Sequence, residues 1–133
     1  MNNQITYGYS ARLDAGFDES VARARELLKQ EGFGILCEID VQQTLKQKAG
    51  VEFRPYLILG ACNPQLAHRA LSEENQLGLL LPCNVVVQSD GQGTMVSAID
   101  ADKMLALVGN PNLGEVARDA NTRLRRVIDA LKS

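Results

Sequence analysis

Phe53-Arg54-Pro55-Tyr56-Leu57-Ile58-Leu59-Gly60-Ala61-Cys62-Asn63-Pro64 changes character partway through, and the change sets the architecture. Val51 to Leu59 reads as a strand, with Pro55 early in it, where a missing N–H suits an edge or a strand entry better than a central ladder. Asn63-Pro64 then opens a helix. Asparagine caps it through its side-chain oxygen, and proline takes the first helical position, where an absent donor costs nothing. The helix carries Leu66, Ala67, Ala70 and Leu71, and the apolar stretch Leu77 to Leu81 is closed by Pro82. Asn84 to Gln88 and Thr94 to Ile99 form a hairpin around Asp90-Gly91-Gln92-Gly93, whose glycines accept positive φ.

Upstream, Ile5 to Ser10 reads as a first strand, ended by Asp14-Ala15-Gly16. Asp18 is the expected N-cap of a helix carrying Phe17, Val21, Ala24 and Leu28 at helical spacing, with Gly32 as its stop. Phe33 to Ile39 forms the next strand, with Ile35, Cys37 and Ile39 on one face and Cys37 expected toward the core. Asp40 caps a short helix that ends at Gly50. Downstream, Asp100 caps a two-turn helix through Met104, Leu105 and Val108, stopped at Gly109. Asn112 and Glu115 have capping-box spacing before the last helix, where Val116, Ala120, Leu124, Val127 and Leu131 trace one apolar stripe. Two long amphipathic helices and about five strands predict an α+β fold, a mostly antiparallel sheet with helices packed on one face.

The 133 residues suit a single domain spanning 1–133, and 45% apolar with 23% charged residues argues against extended disorder. A net charge of −2 offers no general attraction for nucleic acid, and the arginines near both long helices are interleaved with acids. Met1-Asn2-Asn3-Gln4 has no basic, leader-like region, and no apolar run approaches the roughly 18 residues a membrane span needs. Three cysteines without CxxC spacing indicate neither a disulfide framework nor a zinc ribbon, so the cytoplasm is the expected compartment.

The quoted stretch, followed by Leu79-Leu80-Leu81-Pro82-Cys83-Asn84-Val85-Val86-Val87, resembles the signature of domain-of-unknown-function family 302, an uncharacterised bacterial and archaeal family. Phe17-Asp18-Glu19, Gly32-Phe33-Gly34-Ile35 and Asp40 leading to Thr44-Leu45-Lys46 agree with it. The resemblance implies a TATA-binding-protein-like β-α-β4-α core with a curved antiparallel sheet. It implies no known reaction. A saddle-shaped sheet does not carry DNA binding with it, and an acidic chain without a basic stripe argues against nucleic acid.

Candidate chemistry gathers at Cys62 and Cys83, each at a strand end beside asparagine and proline. Antiparallel pairing of their strands brings the two cysteines together, whereas a parallel crossover separates them by the sheet length. Cys62 precedes a helix start, where backbone donors and the helix dipole favour a thiolate. His68 is the nitrogen that completes a soft copper or zinc site with Cys62 and Cys83. Arg54, the Asn63 helix start and Tyr56 form a second candidate, an anion pocket. Against these stands the plain reading of buried cysteine as a small apolar residue. The expected function is a non-enzymatic domain binding a small ligand or metal ion near Cys62 and Cys83. The alternatives are a thiol-dependent enzyme or redox protein using Cys62, and an interaction module with no small-molecule site. A homodimer through the uncovered sheet face or an edge strand, with Tyr7, Tyr9 and the hairpin strands as contributors, completes the expectations.

Overall fold

In a computed structural model describing residues 5–132, five strands form one antiparallel sheet. Met1-Asn2-Asn3-Gln4 lies outside the described residues. The strands are β1 (Gly8–Leu13), β2 (Gly34–Asp40), β3 (Tyr56–Cys62), β4 (Cys83–Ser89) and β5 (Thr94–Ile99), in the order β1-β5-β4-β3-β2. Helix α1 (Phe17–Gln30) carries the chain from one edge strand to the other across the full sheet. Helices α2 (Val41–Ala49), α3 (Pro64–Glu73), α4 (Ala101–Ala106) and α5 (Gly114–Leu131) complete the β-α-β4-α core and its insertions.

Alternation along the inner strands produces the core. Leu59 and Ala61 of β3, Val85 and Val87 of β4, and Val96 and Ala98 of β5 are buried on the face that α1 and α5 cover. Helix α5 contributes the expected stripe, with Val116, Ala120, Leu124, Val127 and Leu131 all buried. Three local start signals hold. Asp40, Asn63 and Asp100 accept hydrogen bonds from Gln43 N (2.9 Å), Leu66 N (3.2 Å) and Lys103 N (3.1 Å).

Other local expectations are corrected. Helix α1 begins after extended Gly16 with no side-chain cap, which leaves Asp18 in its first turn beside the helix dipole. The Asn112–Glu115 box does not form, because Pro111 starts a 3-10 turn (Pro111–Leu113) that Asn110 caps through Asn112 N at 2.9 Å. Strand β1 runs three residues past its expected end, to Leu13. β3 begins only after Pro55, whose carbonyl accepts from Ser89 N (3.0 Å).

Cys37 faces outward. A bulge between Ile35 and Cys37 inserts Leu36 into β2, so Ile35 stays on the core side opposite Ala61 while Cys37 comes opposite Gly60. Two-residue alternation cannot anticipate that reversal. Cys37 is exposed, and its sulfur lies close over Gly60, where an added Cβ would sit 2.6 Å from it.

Candidate functional site

Strands β3 and β4 pair antiparallel with Ala61 opposite Cys83, so the end of one lies beside the start of the other. Cys62 and Cys83 therefore share one end of the sheet. The chain leaves this end through Asn63 into α3, returns through a 3-10 turn (Leu77–Leu79) to Cys83, and comes back a third time where β5 passes into α4. Helix α3 turns Leu66 and Ala70 inward, and α5 presents Val116 and Ala120.

Between these elements lies a cavity of about 270 Å³. Its origin is in side-chain size. Ala61, Ala67, Ala70, Ala101 and Ala120 all line it, at places where larger aliphatics would close the space. Leu36 and Leu71, 68% and 40% exposed, lie on the wall toward solvent, while Ala101 and Leu105 are buried. Among the lining side chains only Cys62, Asn63 and Cys83 offer an N–H, S–H or oxygen, and Asn63 already spends its oxygen on Leu66 N.

Burial pushes the Cys83 thiol up to about 11, with a smaller contribution from charge on Cys62, and burial also pushes Cys62 upward. Both are protonated thiols at neutral pH. At the helix start the Asn63 side chain accepts from Leu66 N, so one of the donors that would favour a thiolate at Cys62 is already taken. Burial thus works against the thiolate expected at Cys62.

The remaining candidates lie elsewhere. Leu66 and Ala70 mark the inner side of α3, and His68, two residues from each, is turned about 200° away at 100° per residue. It is exposed in a polar groove with Arg69, Ser72, Glu73, Asn112 and Glu115. Among the described residues no group of three or more His, Cys, Asp or Glu could hold a metal ion. The Cys62–Cys83–His68 set therefore does not assemble. Tyr56 starts the strand that Cys62 ends, about 20 Å away at the usual strand rise. Arg54 is exposed, its guanidinium 4.4 Å from the Phe53 ring centroid, so it forms no pocket with Asn63.

The sequence did not point to Phe33, Leu36, Met104, Leu105 or Val116 as parts of one wall. The usable signal was the recurrence of alanine at buried helical positions such as Ala70, Ala101 and Ala120. Tyr9, expected at a dimer face, instead packs against the core and donates to Asp100 Oδ2 (3.2 Å).

The family model described as Domain of unknown function DUF302 matches residues 9–131. The chain is 35% identical to the protein in "Crystal structure of uncharacterized conserved protein DUF302 from Bacillus stearothermophilus", with a TM-score of 0.86, over 94% of this chain and 98% of that one. No curated protein matches.

Proposed function

We propose that this chain, which belongs to the DUF302 family, binds a small apolar ligand in the cavity beside Cys62 and Cys83 and does not transform it. The observation that carries this reading is a cavity of about 270 Å³ whose wall is almost wholly aliphatic, close to the lower end of the ~300–1,000 Å³ typical of ligand pockets. Its wall offers no carboxylate, imidazole or ammonium for proton transfer, and both thiols are held in their less nucleophilic form. An apolar ligand needs neither. The test uses Cys37→Ser, which removes the exposed thiol and leaves Cys62 as the reporter. Toluene is expected to slow labelling of Cys62 by a maleimide, and Ala67→Leu, which fills the cavity, is expected to abolish that protection. Labelling unchanged by toluene would refute the reading.

We also assign the protein to the cytoplasm as a single domain. Three unpaired cysteines support a reducing compartment, and no helix among the described residues is long and apolar enough to cross a membrane. A homodimer through the outer sheet face is supported by Ile39, 47% exposed, beside half-buried Ile58 and Val86. Sedimentation showing a single monomeric species at high concentration would remove it.

A further inference from the structure

We infer that the cavity's occupant is an unbranched alkyl chain of about ten carbons, entering between Leu36 and Leu71 with its polar head left in water. This rests on the apolar-ligand reading above and adds the ligand's shape. Size comes first. An apolar cavity of ~150 Å³ takes a six-carbon benzene ring, so by proportion 270 Å³ holds about ten carbons. The wall favours a chain over a fused ring system, because Phe33 is the one aromatic lining residue and no second aromatic lines the cavity to sandwich a flat ligand with it. Met104 adds a flexible thioether that adapts to a mobile chain.

Direction follows from exposure. Leu36 and Leu71 stand in solvent, whereas Ala101 and Leu105 are 0% and 6% exposed, so we take the Leu36–Leu71 part of the wall as the open end and the Ala101–Leu105 part as the closed one. A polar head placed among the buried lining side chains would meet, beyond the weakly polar Cys83 thiol, no donor or acceptor side chain. At the open end it keeps its water, and the methylenes supply the affinity.

The experiment measures protection of Cys62 from maleimide in the Cys37→Ser protein by primary n-alkanols from hexanol to dodecanol. Affinity is expected to rise about fourfold per methylene and to level off near ten carbons. Naphthalene is expected to bind roughly tenfold more weakly than decanol. Leu105→Ala, which deepens the closed end, is expected to carry the rise on to dodecanol, and Ala101→Val to stop it at a shorter chain. If Ala101→Val fails to fold, Leu105→Ala still decides the direction. Flat dependence on chain length, or naphthalene binding as well as decanol, with toluene still protecting Cys62, would overturn the alkyl inference and leave the apolar-ligand reading intact. Protection by none of these molecules would overturn both.

Discussion

Cys83, 8% exposed at the start of β4, couples the cavity wall to pH. Its thiol rises from 9.0 to about 11 on folding, chiefly through burial, so the folded state favours the neutral form. Below pH 9 both folded and unfolded chains hold the proton, and this group gives stability no pH dependence. Between pH 9 and 11 the unfolded chain ionises first, and about 2–3 kcal/mol is lost across that window. Urea unfolding at pH 8 and pH 11 should show that loss in the parent and a smaller one in Cys83→Ala; equal losses would reject the assignment. Asp90 works at the other extreme. Arg12 first, then the amides of Gln92 and Gly93, hold its carboxyl at about 2, down from 3.8. Its contribution is therefore complete above pH 4 and fades as pH falls toward 2, a dependence that Asp90→Asn should weaken in acid unfolding. Beside it, Gly93 has no room for a side chain, since an added Cβ would lie 2.3 Å from the Leu13 carbonyl oxygen. The atoms it would meet, the Leu13 carbonyl and Asp14 Cα, are all backbone. Gly93→Ala should cost about 1–3 kcal/mol by urea denaturation.

Helix α4, six residues long, packs Ala101 and Leu105 into the core and is hydrogen-bonded to α5 through one side chain of that helix. Asn121, 7% exposed, accepts from Ala101 N (2.9 Å) and donates to Tyr9 Oη (2.8 Å) and Asp102 Oδ2 (3.2 Å), which ties α4 to α5 and to β1. Asn121→Leu leaves the Ala101 amide unpaired and is expected to cost about 1–3 kcal/mol. Because Ala101, Met104 and Leu105 line the cavity, the same variant should also weaken protection of Cys62 by toluene; a variant that unfolds earlier yet binds toluene unchanged would show that α4 does not shape the site. Some elements were legible in sequence and others were not, for physical reasons. Asp40, Asn63 and Asp100 act on amides three residues ahead, a local event that residue type nearly determines. Asn112 has the same chemistry, but Pro111 places it inside a 3-10 turn, where its spacing to Glu115 has no helical meaning. The bulge at Leu36 arises from pairing with β3, which no pattern within β2 records. The shared end of Cys62 and Cys83 followed once antiparallel pairing was granted. The cavity did not, because its wall joins residues from Phe33 to Ala120 that meet only in the folded chain.

Across the whole molecule, burial is distributed unevenly, and the ligand site straddles the division. Strands β4 and β5 and helix α5 hold much of the core, whereas α2 has no buried residue and β2 forms an edge in which no residue is fully buried. Few apolar contacts hold that edge, so it should open without global unfolding. Native-state hydrogen exchange is accordingly expected to show the fastest exchange in α2, intermediate protection in β2, and the slowest amides in β4, β5 and α5. Leu36, in β2, sits on the poorly buried side of this division and Phe33, 4% exposed, on the buried side, yet both line the cavity. A ligand that fills the cavity stabilises only states in which its wall is intact, so it raises the free energy of any opening that removes β2. Saturating decanol should therefore slow exchange at the Leu36 end of β2 and leave the amides of α2, which touch no part of the wall, unchanged. Slowing spread evenly over α2 and β2 would mean that the two open as one unit. Slowing confined to β4, β5 and α5 would place the bound molecule away from the Leu36–Leu71 entrance.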